Sequence, residues 1–137
     1  MGGEAQLASV PLFSRCSRRD LKRVAGLASE VTFEAGDVIA EEGEDGLSFY
    51  VVLEGEAKVT RRGKSVARLL PGSFFGEVSL LDGGPRTATV TAVTPMRCLS
   101  ILRWDFRSLL EKEPALIPKI LKELALRLRQ TEKSVTG

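Results

Sequence analysis

The chain has 137 residues, 43% hydrophobic and 28% charged, the size and balance of one soluble globular domain. Twenty basic against eighteen acidic residues leave a net charge of +2, which makes no global electrostatic case for nucleic acid or a membrane surface. Histidine is absent, which removes Ser-His-Asp and Cys-His catalysis and the commonest zinc ligand, so no enzyme, metal or cofactor is expected.

Targeting signals are equally sparse. No apolar run approaches the ~18 residues of a membrane helix, and Met1-Gly2-Gly3-Glu4 lacks the layout of a signal peptide. Gln6 stands where N-myristoylation wants Ser or Thr. The expected location is therefore cytoplasmic. Cys16 and Cys98 show no C-x-x-C spacing and read as packed residues, one in a helix and one in a strand, without a disulfide.

The first segment, 1–29, reads as helical over 7–29, with Leu12, Phe13, Leu21, Val24, Ala25, Leu27 and Ala28 apolar between basic residues. Ser17 is the expected N-cap of a helix running to about Ala28, with Asp20 at the third position of its first turn. Arg15, Arg18, Arg19, Lys22 and Arg23 form the one local basic patch, read as a solvated helix face in preference to a nucleic-acid contact.

From 30 to 103 the period shortens and glycines recur between β-type runs at 31–33, 38–40, 48–53, 57–60, 65–70, 87–93 and 97–102. Short strands at this spacing point to a sandwich or jelly roll. Glu54-Gly55-Glu56 and Arg61-Arg62-Gly63-Lys64 are expected to be its hairpin turns. The third segment, 104–133, returns to helix: a short one over 104–110 ended by Pro114, then one starting near Pro118. The second carries Ile117, Ile120, Leu121, Leu124, Ala125 and Leu128 on one expected face, and Leu116, Ile120, Leu124 and Leu128 recur every four residues. The predicted fold is α+β, an antiparallel β-roll or jelly-roll barrel flanked by N-terminal and C-terminal helices.

The chemistry concentrates in the run 74–90, Phe-Phe-Gly-Glu-Val-Ser-Leu-Leu-Asp-Gly-Gly-Pro-Arg-Thr-Ala-Thr-Val. Arg86 offers a planar fork of donors matched to phosphate oxygens. Gly76 lets backbone approach a ligand closely, and the N–H groups of residues 76–80 can point at an anion. Glu77 is itself an anion, so it must accept a hydrogen bond from something neutral, and a ribose hydroxyl suits. The competing reading is that Glu77 and Arg86 simply pair with each other across a turn.

This run resembles the phosphate-binding cassette of cyclic nucleotide-binding domains, the family of the bacterial catabolite activator and of kinase regulatory subunits. The family pattern stands here as Phe75-Gly76-Glu77-Val78-Ser79-Leu80 and Pro85-Arg86-Thr87-Ala88-Thr89-Val90. Further matches are Gly36-Asp37-Val38-Ile39, Glu42-Gly43-Glu44, Phe49-Tyr50-Val51-Val52-Leu53-Glu54-Gly55 and Leu70-Pro71-Gly72-Ser73-Phe74-Phe75-Gly76, so the likeness covers roughly 10–132. It departs at Leu47, where the family often has aspartate.

The resemblance implies that Glu77 takes the ribose 2′-hydroxyl and Arg86 the cyclic phosphate. Amides near Gly76 and Glu77, the Thr87 hydroxyl and the Ala88 amide would complete a cradle that includes Val78 and Ser79, with a short helix inside the cassette. The stretch 124–133 resembles the central helix of the catabolite activator family. That likeness places Thr131 against the adenine amino group and makes a homodimer through this helix, or a lid over the purine, two readings of the apolar stripe. Plain packing on the β-roll is the third.

Three functions of different class follow: a cyclic nucleotide sensor acting on a protein effector, the sensor part of a DNA-binding regulator, and a scaffold of the same fold that binds no nucleotide. No DNA-reading helix is expected here, since a helix-turn-helix would lie beyond Gly137, and the chain reads as a stand-alone receptor or a sensor domain of a larger protein. The expected ligand is cyclic AMP in preference to cyclic GMP, although Thr87 pulls toward the guanine nucleotide.

Overall fold

The computed structural model describes residues 3–76, 81 and 84–136, with the side chains of 127 and 130–136 outside the description. The chain opens with helix α1 (Glu4–Ala8), a single 3-10 turn (Pro11–Phe13) and helix α2 (Arg18–Ala25). Strands β1 (Ser29–Phe33), β2 (Val38–Ala40), β3 (Ser48–Glu54), β4 (Ala57–Arg61), β5 (Lys64–Leu69), β6 (Phe74–Phe75), β7 (Thr89–Ala92) and β8 (Met96–Leu102) follow. Helices α3 (Arg103–Lys112) and α4 (Leu116–Thr136) end it.

The strands form two four-stranded antiparallel sheets, ordered β1-β8-β3-β6 and β2-β7-β4-β5. This is the expected antiparallel β-roll; no strand pairing closes it into a barrel among the described residues. The first sheet is covered on both faces, which explains why β3 and β8 are apolar almost throughout. Phe49, Val51, Leu99 and Ile101 point to the helices and pack with Leu7, Phe13, Val24, Phe106, Leu116 and Ile120. Their alternate neighbours Val52, Met96 and Cys98 point the other way and meet Ala40, Ala57, Val90 and Ala92 of the second sheet. Cys98 is thus a core residue, and burial pushes its thiol pKa up to about 11.

Several expectations needed correction. The helical span expected over 7–29 is three pieces, because Pro11 lacks an N–H and starts its own short turn. Helix α2 does carry the predicted cap: the Asp20 amide donates to Ser17 Oγ (3.1 Å) and the Ser17 amide to the Asp20 carboxylate (3.0 Å). It stops at Ala25, however, with Gly26 as C-cap. Arg61-Arg62-Gly63-Lys64 is a hairpin turn whose central residues both have positive φ, 53° and 77°, as a tight two-residue hairpin demands.

Glu54-Gly55-Glu56 is not a hairpin, because β3 and β4 lie in different sheets. Gly55 turns the chain from one sheet to the other at φ 92°, pressed so closely on the β7–β8 connection that an added Cβ would sit 2.3 Å from the Pro95 carbonyl oxygen. The expected single apolar face of α4 also splits. Leu116 and Ile120 are buried and Leu124 packs beside them, whereas Ile117, Leu121 and Leu128 are 39%, 57% and 61% exposed. Each exposed residue of the pairs 116/117 and 120/121 follows a buried one, about 100° further round the helix.

The helices are tied to one another by charge. Lys119 Nζ donates to the Asp20 carboxylate (2.5 Å), Arg15 Nε pairs with Glu123 (2.9 Å), and Arg23 pairs with Glu113. Part of the basic patch therefore clamps the N-terminal segment to α4 and the end of α3, while Arg18, Arg19 and Lys22 stay exposed.

Candidate ligand-binding site

A cavity of about 260 Å³ opens over the second sheet. Its apolar wall comes from Ala40, Val59, Leu69 and Val90, with Phe74 and Phe75 of β6 at its edge. Gly76, Arg86, Thr87 and Ala88 supply the rest, together with Arg61 at the end of β4. Four of the residues expected to bind ligand thus line one cavity. Glu77, Val78 and Ser79 lie outside the described residues, as does almost all of the short helix expected in the cassette. Thr131 falls within α4, but its side chain is not among those described.

Arg86 is held from several sides. Its backbone N–H donates to the Glu44 carbonyl (2.7 Å), and its own carbonyl accepts from the Gly43 N–H (2.9 Å). The bridge between Asp45 and Pro85 extends that pairing, so the 41–46 loop fixes where the arginine leaves the backbone. Its Nη2 donates to the Ser48 carbonyl (2.7 Å), and its Cζ lies 6.0 Å from the centre of the Tyr50 ring. Tyr50 is in turn stacked on Phe75, with ring centres 4.9 Å apart. Nη1 is buried and has no hydrogen-bond partner among the described residues. Burial pushes the Arg86 pKa below the ordinary arginine value, with Tyr50 acting in the opposite direction. An arginine stays a cation even so. A buried guanidinium nitrogen without a partner is costly, and an anion in the cavity would relieve that cost.

Gly76 is required twice. Its φ of 86° disfavours any side chain, and an added Cβ would stand 2.3 Å from Arg86 Nη1 and 2.7 Å from the Ser48 carbonyl oxygen. The glycine therefore lets the guanidinium slide beneath the backbone. A second cavity, to which Arg86 also contributes, is lined by Glu41, Glu44 and Asp45. Those carboxylates disfavour an anion there, so the cavity over the second sheet is the one suited to phosphate.

Sequence reasoning missed Tyr50, the Ser48 carbonyl and Arg61. For Arg61 a signal existed: Ala57, Val59 and Arg61 alternate along one strand and share a face. The contacts of Tyr50 and Ser48 with Arg86 join residues 36 or more positions apart and leave no local trace. Among the described residues no group of three or more His, Cys, Asp or Glu is placed to hold a metal, and no helix is long and apolar enough to cross a membrane.

The family profile described as "Cyclic nucleotide-binding domain" matches residues 30–113. A cAMP-dependent protein kinase regulatory subunit of Yarrowia lipolytica is 40% identical over 106 residues, 76% of this chain and 28% of that protein. A CRP-like cAMP-activated global transcriptional regulator of Mycobacterium tuberculosis is 34% identical over 110 residues, 77% of this chain and 49% of that protein. The chain thus spans less than half the length of either relative. Among solved structures, the N-terminal domain of a transcriptional regulator from Streptomyces coelicolor A3(2) superposes with a TM-score of 0.84 at 35% identity, covering 93% of this chain and 95% of that one. With the cassette motif in sequence, Arg86 tucked against Gly76 in structure, and these matches in agreement, the chain belongs to the cyclic nucleotide-binding domain family.

Proposed function

We propose that this chain is one sensor domain that binds cyclic AMP in preference to cyclic GMP and relays binding through α4 to a protein effector, without catalysis of its own. The observation that carries the reading is Arg86, whose buried Nη1 has no hydrogen-bond partner among the described residues, lining a cavity with an apolar wall. That arrangement suits a ligand with one anionic end and one flat apolar body. It disfavours the scaffold reading, in which a half-buried cation would be compensated among the described residues only by the Ser48 carbonyl and the Tyr50 ring.

In this reading Arg86 takes the cyclic phosphate, with Gly76, Val78, Ser79, Thr87 and Ala88 around it, and Glu77 takes the ribose 2′-hydroxyl. Thr131 contacts the adenine amino group, and the preference for cyclic AMP over cyclic GMP rests partly on it. The names of the two relatives, both linked to cyclic AMP, support the same ligand. The exposed Ile117, Leu121 and Leu128 stripe suits a helix that moves onto the ligand or pairs with a second copy. The expected setting is the cytoplasm, away from membranes, with no direct contact to nucleic acid.

A second reading is the sensor part of a DNA-binding transcription regulator. It is favoured by the Streptomyces structure, whose chain is almost fully covered and is itself the N-terminal domain of a transcriptional regulator.

Calorimetric titration with cyclic AMP, cyclic GMP and 2′-deoxy cyclic AMP tests the proposal. Cyclic AMP is expected to bind tightest and the deoxy analogue distinctly more weakly, because a site built around a hydroxyl leaves its acceptor unpaired without it. Absence of binding by every nucleotide returns the scaffold reading. Equal affinity for cyclic AMP and its deoxy analogue removes the role of Glu77.

A further inference from the structure

Strand β4 carries Ala57, Val59 and Arg61 on one face, running from the interior between the sheets outward to the cavity mouth. Thr60 pairs with Thr89 of β7, so Arg61 arrives level with the residues just after Arg86. Its Nε donates to the Thr87 carbonyl at 3.1 Å. That bond anchors the guanidinium beside the cassette through one of its five donors. The four N–H groups on its terminal nitrogens donate to no partner among the described residues. Arg15, Arg23, Arg68 and Arg97 each face a carboxylate; Arg61, exposed at the same cavity that Arg86 lines, faces none among the described residues.

We propose that Arg61 is a second cationic contact for the anionic group of the ligand, meeting it from the mouth of the cavity while Arg86 holds it from below. The inference rests on the cyclic nucleotide reading of this cavity and adds to it a specific electrostatic consequence. One cyclic phosphodiester, with a single negative charge, then meets two guanidinium groups, one half-buried and one exposed to solvent. The exposed contact is screened by salt and the half-buried one is screened much less. Both act on the phosphate, so the contribution of Arg61 is the same whichever base the nucleotide carries.

The test is calorimetric titration of the wild-type chain, Arg61→Gln, Arg61→Lys and Arg62→Gln with cyclic AMP and cyclic GMP, at about 50 and about 500 mM NaCl. Arg62 is the control, since it sits on the same hairpin but does not line the cavity, and among the described residues only its backbone N–H is engaged, with Glu42. Arg61→Gln is expected to weaken both nucleotides by the same factor, about 5- to 10-fold, and to flatten the salt dependence. Arg61→Lys keeps the charge without the fork, so it retains the salt dependence and loses part of the affinity. Arg62→Gln leaves affinity unchanged. Melting curves accompany each variant; if Arg61→Gln fails to fold, the Lys variant carries the test.

Equal affinity of Arg61→Gln and wild type overturns the inference. So does an equal loss in Arg62→Gln, which marks a bulk charge effect. A loss confined to one nucleotide with unchanged salt dependence places Arg61 on a base edge, and overturns it as well. A wild-type chain that binds neither nucleotide overturns the reading of the cavity itself, and the inference falls with it.

Discussion

Arg86 brings a positive charge under the backbone at Gly76, where one guanidinium nitrogen finds the Ser48 carbonyl and the other finds no partner among the described residues. In the proposed reading such a side chain serves the ligand more than the fold. Loss of one member of a desolvated guanidinium–phosphate pair costs on the order of 2–5 kcal/mol, so Arg86→Leu should weaken cyclic AMP binding by roughly 30-fold or more. The ligand-free Arg86→Leu chain should melt close to wild type, because loss of the bond to the Ser48 carbonyl is offset by removal of an incompletely paired, half-buried cation. Unchanged affinity in a folded variant would remove Arg86 from the site. Gly76→Ala should fail differently. Its Cβ would collide with Arg86 Nη1 and force a positive φ on an alanine, so it should lose stability by about 1–3 kcal/mol and binding together. A urea titration alongside calorimetry separates these two patterns.

Between elements, the contacts most open to test are those joining α2 to α4. The hydrogen bond from Lys119 holds the Asp20 carboxyl below its usual range, with the Ser17 bonds acting in the same direction and burial against them. The same bond raises Lys119. A depressed carboxylate contributes stability above its unfolded pKa of about 3.9 and loses it as pH falls through the folded value. A raised lysine contributes below its unfolded pKa of about 10.4 and loses it as pH rises through the folded value. The pair should therefore act evenly across neutral pH and fail first in acid. Lys119→Met should lower the urea midpoint relative to wild type at about pH 7, and the gap should narrow as pH falls below about 4 and the Asp20 carboxylate takes up its proton. A gap that persists in acid would assign the loss to packing instead. If α4 relays the ligand, amide exchange over 120–128 should slow on adding cyclic AMP, since only a helix with different contacts in the bound state is moved by binding. Unchanged exchange at saturation would leave α4 as packing alone.

At the scale of the molecule, a ligand that binds only the folded state stabilises it by about 2.7 kcal/mol at a hundredfold excess over Kd. For a chain of this size that is a rise in Tm of roughly 10 °C, and Arg86→Leu should show little of it under the same conditions. Much of this architecture is legible in the order of the amino acids. Turn residues and short apolar runs locate seven of the strands, Ser17 and Asp20 mark the start of α2, and the run from Phe74 to Val90 marks the cassette. Those signals are local: capping, tight turns and strand periodicity depend on residues a few positions apart. The two residues of β6 are too short to show a period, and Phe75 finds its partner Tyr50 25 positions away in β3. Gly55 looks like a hairpin because a glycine with positive φ serves equally to reverse a strand or to carry it to another sheet; only the pairing of β3 with β8 and of β4 with β7 separates the two. In α4 the apolar spacing is readable, but its division into a buried and an exposed stripe depends on where α2 and the first sheet lie. The family motif, the cation and the glycine that admits it are all contained in the amino-acid sequence, within one short run of residues. That Ser48 and Tyr50 hold that cation, and that Arg61 shares its cavity, follows only from the tertiary structure, because those contacts join residues distant along the chain.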